Sequence, residues 1–193
     1  MAVGILLAAG FSRRFGAEDK LMQLLPDGRP LALAAAQNLL AALPRTIAVV
    51  RPEAMLLAAL LMEAGAEVVT CAAHEVDMAD SLAAGVRYAA SHAETDSGYV
   101  IALADMPFIQ PQTIAAVAAA MMDGALIVAP AYRQQRGHPV AFAASLRGEL
   151  ENLRGDEGAR SVLLRHRHEI HVLEVADAGV LADIDTPRDL PVA

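Results

Sequence analysis

The chain opens on an apolar run, Val3 to Ala8, that is too short for an ordinary helix and lacks the alternation of a half-exposed strand. Such a run reads as a buried strand, and it ends at Gly10. Residues 10–28 are polar and irregular, long for a connection in a compact domain, which marks them as a candidate functional loop. Residues 31–43 read as a helix stopped by Pro44. Two strand–helix units with the same punctuation follow. Residues 46–51 read as strand, with Pro52 placed to start a helix and Gly65 to end it. Residues 99–104 read as strand, with Pro111 opening a helix to Met122 and Gly124 closing it. Proline in the first helical turn and glycine just past the last is the expected asymmetry of helix ends. Further strands are predicted at residues 67–70, 125–129, 140–142 and 170–175, and a helix over residues 80–91. The Met and Leu stripe of residues 55–62 reads as helix core.

Strands alternating with helices, the strands apolar without alternation, predict an α/β fold. The expected architecture is a three-layer αβα sandwich on a parallel or mostly parallel Rossmann-like sheet, with both faces covered. The length of 193 residues suits a single domain spanning 1–193. No linker, low-complexity tract or repeat interrupts it. Sheets of this kind bind ligands beyond the carboxyl ends of their strands, so residues just after the strands carry the functional argument.

Composition narrows the classes. No apolar stretch reaches the roughly 18 residues a membrane helix needs, so no membrane association is expected. The N-terminal apolar run has no basic residue before it and is a poor secretory signal. A lone cysteine, Cys71, excludes an intramolecular disulfide and fits a reducing, cytoplasmic setting. A net charge of −8 argues against a nucleic-acid partner. Against that background Arg13, Arg14 and Lys20 cluster after a glycine, and Lys20 is the sole lysine. That grouping suggests a local anion site.

The first strand leads into Leu7-Ala-Ala-Gly-Phe-Ser-Arg-Arg-Phe-Gly-Ala-Glu-Asp-Lys20. Small residues at 8, 9 and 10 let a ligand approach the backbone, whose free N–H groups can cradle phosphate. The loop is neither a Walker A motif nor a Gly-x-Gly-x-x-Gly fingerprint. The fourth strand ends in Leu103-Ala-Asp-Met-Pro107. A carboxylate there suits a hard cation such as Mg²⁺, or else serves a turn or a helix cap. A second carboxylate group lies in Leu181-Ala-Asp-Ile-Asp-Thr-Pro187. The tract Arg165-His-Arg-His-Glu-Ile-His171 reads as a solvated basic helix end that complements the helix dipole.

These motifs resemble those of the MobA-like nucleotidyltransferases, and within them the molybdenum cofactor cytidylyltransferases. The family's Leu-Ala-Ala-Gly-x-Ser-x-Arg-Met-Gly, followed after a short gap by Lys-Leu, matches Leu7 to Gly16 and Lys20-Leu21, with Phe15 in place of Met. Gly28-Arg-Pro-Leu31, the Asp-x-Pro at Asp105, Gly137-His-Pro-Val140 with Phe142, Gly155-Asp-Glu-Gly-Ala-Arg160 and Asp183-Ile-Asp-Thr-Pro187 match further family segments. The resemblance implies the fold of the nucleotide-diphospho-sugar transferases and transfer of CMP from CTP to the terminal phosphate of molybdenum-bound molybdopterin, with pyrophosphate released. A molybdoenzyme would then receive the product. It assigns the nucleotide to Leu7, Ala8, Ala9, Gly10, Ser12, Arg13, Arg14, Lys20 and, weakly, Ser81. Lys20, Arg14 and Asp105 take catalytic roles, and Asp105 and Asp185 bind Mg²⁺, with Asp183 supporting them or capping the last turn.

On the acceptor side, His138 orients the acceptor phosphate or holds its loop, and Arg160 meets a phosphate or begins a helix. Relatives that transfer GMP resemble Leu-Ala-Gly-Gly at the first loop; a Cβ at Ala9 narrows the approach and favours a pyrimidine. The chain departs from the family at Asp77 and Gln134, where glycine is usual; Asp77 or Asp80 is then expected to cap the following helix. The phosphate monoester acceptor is mostly dianionic near neutral pH, so no general base is expected. The competing readings are a same-fold transferase that uses GTP or another phosphorylated metabolite, and a non-catalytic nucleotide- or cofactor-binding module.

Overall fold

The computed structural model describes residues 1–10, 19–72, 77–92, 97–155 and 158–190. In chain order its regular elements are β1 (Ala2–Ala8), a 3-10 turn (Lys20–Met22), α1 (Leu31–Ala42), β2 (Thr46–Val50), α2 (Met55–Glu63), β3 (Glu67–Thr70), α3 (Met78–Ser91), β4 (Gly98–Leu103), α4 (Pro111–Met122), β5 (Ile127–Tyr132), β6 (Gln135–Arg136), β7 (Val140–Ala143), α5 (Arg147–Glu151), α6 (Arg160–Arg165) and β8 (Ile170–Glu174).

Strands buried on both faces need a core on each, and alternate residues of β1 feed two of them. Leu6 and Ala8 pack in a cluster with Leu39 of α1, Leu57 and Leu61 of α2 and Val117 of α4. Val3, Ile5 and Ala9 pack in a second cluster with Leu82 and Val86 of α3, Leu150 of α5 and Val162 of α6. The result is the predicted three-layer α/β sandwich, with β1 and β4 central.

The sheet order is β3-β2-β1-β4-β7-β5-β6, with β8 on the other edge of β5. β1, β2, β3 and β4 are mutually parallel, as are β5 and β8. β7 runs antiparallel to both β4 and β5, so the sheet is mixed. The cause is local. β5 reverses at Arg133-Gln134, and the returning chain, β6 then β7, lies back along β5 and enters the gap beside β4.

Element boundaries shift where tertiary contacts outweigh local punctuation. Pro52 lies in a turn, and α2 begins only at Met55. α4 starts at Pro111 as predicted. The glycines that end α2 and α4, Gly65 and Gly124, take φ of 100° and 113°, a region open to glycine at little cost. β5 runs Ile127–Tyr132, displaced from the predicted residues 125–129. Asp77 occupies the N-cap position of α3 without a side-chain capping bond, and Asp80 lies inside the helix, so neither caps it as expected. The stripe of residues 55–62 is not all core. Leu57 and Leu61 are buried, but Met55, Leu56 and Met62 are exposed at 76%, 79% and 55%. A helix over the sheet margin has one face to bury, and α2 is apolar on both. Among the described residues no helix is long and apolar enough to cross a membrane.

The basic tract after α6 is a salt-linked corner. His166 contacts Glu169 through Nδ1 at 2.8 Å and Glu149 through Nε2 at 2.9 Å, and Arg165 pairs with Glu149. Glu169 and Glu149 raise the His166 pKa above its ordinary value. A histidine whose folded pKa exceeds its unfolded one stabilises the fold at low pH and loses that contribution as pH rises through the folded pKa. The Tm advantage of the wild type over His166→Gln should therefore shrink as pH is raised from about 6 to about 8.5. A difference that stays constant across that range removes the linkage.

The β5–β6 turn offers a second test. Arg133 and Gln134 have φ of 50° and 66°, a conformation that costs a side-chain-bearing residue about 1 kcal/mol. Gln134→Gly should raise stability by about 0.5–1 kcal/mol in denaturant unfolding; an unchanged or lower midpoint shows that the turn carries no such strain.

Candidate active site

The parallel strands β1, β2, β3 and β4 all end on one margin of the sheet, and the antiparallel β7 begins there. Lys20, Asp105 and Asp185 are brought to this margin by three chain segments, and His138 by a fourth, stitched together by backbone and side-chain hydrogen bonds.

The first segment carries Lys20. Asp19 caps its 3-10 turn by accepting from the Leu21 N–H at 3.1 Å. Leu21 and Leu25 are buried, and the Leu31 N–H donates to the Gln23 carbonyl at 2.9 Å, which fastens the loop to the start of α1. The second segment follows β4. The Ala104 N–H donates to the Leu7 carbonyl at 3.1 Å, and Asn38 of α1 donates to the Pro107 carbonyl at 2.9 Å. Asp105 is thereby fixed between the end of β1 and α1.

The third segment, residues 177–189, has no long helix or strand and is held by side chains that the sequence reading missed. Buried Asp177 accepts from the Gln110 N–H at 2.8 Å, the Thr113 hydroxyl at 2.8 Å and the Gly179 N–H at 2.9 Å. It therefore serves at once as a cap for α4 and as an anchor for the turn that follows. The Ile184 N–H donates to the Asp105 carbonyl at 3.0 Å. The Ile184 side chain, 1% exposed, packs with Leu25, Leu31 and Ala34. One residue thus joins all three segments and sets Asp183 and Asp185 on either side of a buried anchor. Asp189 accepts from the backbone of Asp185 and Thr186 and from the Thr186 hydroxyl, at 3.1, 2.7 and 2.9 Å. Those bonds hold its carboxyl below the usual carboxylate range. Thr186, not Asp183, caps the last turn. A Thr-x-x-Asp signature at residues 186–189 was available to find Asp189, whereas nothing local distinguishes Asp177.

Lys20 is 7% exposed. Its ammonium donates to Asp105 Oδ2 at 2.7 Å and to Asp185 Oδ1 at 3.4 Å, partners 85 and 165 positions downstream. Two carboxylates facing one ammonium leave a net negative centre. That is the charge pattern of a divalent cation site that takes its remaining ligands from phosphate and water. Among the described residues no three acidic, histidine or cysteine side chains close into a preformed cage. Mg²⁺ needs none, being held in such sites by one or two carboxylates plus substrate oxygens. Asp105 Oδ1 is buried without a hydrogen-bond partner among the described residues, and such an atom is costly unless something binds it. The donor set fits a hard cation.

His138 stands at the mouth of β7, after the break that separates it from β6. Its N–H donates to the Val180 carbonyl at 2.9 Å. A Cβ on the preceding Gly137 would come within 2.0 Å of the same carbonyl oxygen, so only glycine lets the two segments close. Burial lowers the His138 pKa, while Asp105 and Asp183 act in the opposite direction.

The other predicted residues divide. Leu7, Ala8 and Ala9 lie at the end of β1 and just beyond it, and a Cβ added at Gly10 would have nothing within 4 Å. Ala9 is 6% exposed and belongs to the same packed cluster as Val49, Cys71 and Ala79. Ser81 is buried in α3, and its hydroxyl donates to the Asp77 carbonyl at 3.2 Å. Arg160 opens α6. Ser12, Arg13 and Arg14 lie outside the described residues.

Comparison with known proteins agrees with this architecture. The profile of the MobA-like NTP transferase domain matches residues 4–170, and the chain belongs to that family of nucleotidyltransferases. It is 30% identical over 199 residues to the purine catabolism protein PucB of Bacillus subtilis, covering 97% of this chain and 93% of that one. Rv0371c of Mycobacterium tuberculosis superposes with a TM-score of 0.80 at 27% identity, over 97% of this chain and 94% of its own; it has also been crystallised with manganese. Molybdopterin-guanine dinucleotide biosynthesis protein A of Archaeoglobus fulgidus shares the fold, with a TM-score of 0.67 at 22% identity over 98% of this chain and 95% of that one.

Asp177→Ala should cost about 3 kcal/mol of stability, because it strands two backbone N–H groups and a hydroxyl in the interior. Asp177→Asn, which keeps an acceptor, should lose less. Equal melting of all three proteins would remove Asp177 as the anchor.

Proposed function

We propose that residues 1–193 act as one transferase domain that moves CMP from CTP to the terminal phosphate of a molybdopterin-type acceptor, in the cytoplasm, for delivery to a molybdoenzyme. The observation that carries this reading is the convergence of Lys20, Asp105 and Asp185 beyond the strand ends, where a nucleotide-binding sheet places its ligand. The family match supports the transfer chemistry. The likeness to a protein named for molybdopterin-guanine dinucleotide biosynthesis supports the acceptor class.

An acceptor phosphate oxygen attacks the α-phosphorus of CTP. A new P–O bond forms, the bond from Pα to the bridging oxygen breaks, and pyrophosphate leaves with the electron pair. The dianionic acceptor has no proton to lose, so the site needs alignment and charge neutralisation more than a base. Residues 7–10 receive the triphosphate along the backbone. Lys20 offers an ammonium to its oxygens, and Arg14 adds a second positive charge. Asp105 and Asp185 would hold the divalent cation, Mg²⁺ in this reading, with Mn²⁺ compatible given the manganese complex of Rv0371c. A cation held by these carboxylates would supply positive charge against the triphosphate. His138 and Arg160 take the acceptor side.

Base choice rests on Ala9, buried in the cluster that includes Ala79 of α3; it carries a Cβ where relatives that transfer GMP resemble Leu-Ala-Gly-Gly. Pyrophosphate release from an NTP panel with purified molybdopterin tests the reading. CTP should be used at least about tenfold faster than GTP, and Lys20→Ala or Asp105→Asn should lower kcat by about 10²-fold or more without loss of fold. Equal or faster turnover of GTP would replace the donor. Release with a different phosphorylated acceptor would replace the acceptor. No release with any pair would leave only a binding module.

A further inference from the structure

We propose that the outer face of α1, α2 and α4 is a self-association surface whose occupant is a second copy of this chain. The inference stands apart from the transferase reading, because it uses no residue of the crevice.

The two helical layers differ in charge. α3, α5 and α6 each carry at least two charged residues, such as Asp80 and Arg87 on α3. On the opposite face of the sheet α1 and α4 carry none, and α2 has only Glu63, its last residue. α1 packs against both α2 and α4, so the three form one continuous layer. A surface helix ordinarily keeps charged or polar residues on its outer side, and 20% of this chain is charged. Here the outer side presents Met55, Leu56 and Met62 of α2, and Met122 of α4 at 49% exposure. Elsewhere α1 and α4 expose only alanines and the uncharged amides Gln37 and Gln112. Loss of charge with enrichment in methionine is the composition of an interface core, and contiguous apolar surface marks a binding face.

Size and charge select the occupant. α1 and α4 have 12 residues each, which makes them roughly 18 Å long. With axes about 10 Å apart, three such helices offer a footprint of about 500 Å², so two copies would bury about 1,000 Å², the size at which a specific interface begins. Two chains of net charge −8 repel each other, and this layer is where that repulsion is weakest. Its acids, Glu53, Glu63 and Asp123, lie at the borders and are exposed. A bilayer is a poor occupant, because the layer has neither the basic nor the aromatic residues that hold a helix at lipid headgroups. A partner held by ion pairs would find nothing to pair with inside the layer. The crevice lies beyond the strand ends and the layer covers a face, so pairing leaves both crevices open.

Sedimentation velocity of the whole chain, from about 1 to about 200 μM, reads the association. The 20.2 kDa monomer should give way to a species of twice that mass. The transition should move to lower concentration as NaCl is raised from about 50 to about 500 mM, because salt screens like charges and leaves apolar contact intact. Leu56→Glu and Met122→Glu, at exposed positions on different helices, should each weaken association at least about tenfold by burying an unpaired charge, with Tm unchanged. Leu164→Glu, at an exposed leucine of α6 in the opposite layer, should leave association as it is. A monomer throughout the range overturns the proposal, whether or not some other protein binds this face. A dimer that survives both substitutions, or one that dissociates as salt is raised, overturns it too. Should one variant fail to fold, the other decides, and the salt series on the wild type needs neither.

Discussion

One ammonium group facing two carboxylates organises this margin of the molecule. Lys20 is nearly buried, yet it meets Asp105 at 2.7 Å and Asp185 at 3.4 Å. A buried cation without a partner would be expensive, as would two acids converging without one. Each of the three groups therefore makes the placement of the others tolerable. The arrangement retains a negative excess, and that excess is what a divalent ion can balance. The same geometry ties three distant segments of the chain together.

Holding those groups in place requires rigidity in segments that have little regular structure. The fold supplies it with buried apolar anchors and with acids that accept backbone N–H groups. Ile184 sits between two aspartates and is locked into a small cluster with Leu25, Leu31 and Ala34. Asp177 spends its carboxylate on the start of α4 and on its own turn. Asp189 does the same for the turn at residues 185–189. These acids differ from Asp105 in one respect that separates scaffold from site. Their oxygens are used by the protein, whereas one buried oxygen of Asp105 has no partner among the described residues.

The mixed sheet also has a functional consequence. A wholly parallel sheet would place only strand ends and helix starts at this margin. Because β7 is reversed, its beginning lies there as well, and with it Gly137 and His138. Contact between Gly137 and Val180 then ties this strand start to the segment carrying Asp183 and Asp185. The acidic and imidazole groups share a crevice because one hairpin turned back between two parallel strands.

The α/β class, the two faces of β1 and the positions of most helices were legible in the chain, because burial on both faces imposes an apolar run and helix ends demand proline and glycine. Lys20, Asp105, His138 and Asp185 were singled out by the likeness of their segments to those of the family, and the structure brings Lys20, Asp105 and Asp185 into contact. What local sequence could not supply was anything dependent on partners distant along the chain. The apolar stripe of α2 looked like core, yet half of it faces outward, because the number of faces a helix buries is decided by what lies beside it. Asp177 resembled any loop acid, and its three bonds exist only once α4 is packed nearby. The reversal of β7, and the meeting of one lysine with two acids from far downstream, were likewise decided by the tertiary fold. Periodicity and punctuation are written residue by residue, whereas electrostatic pairing and strand order arise only when the whole chain closes on itself.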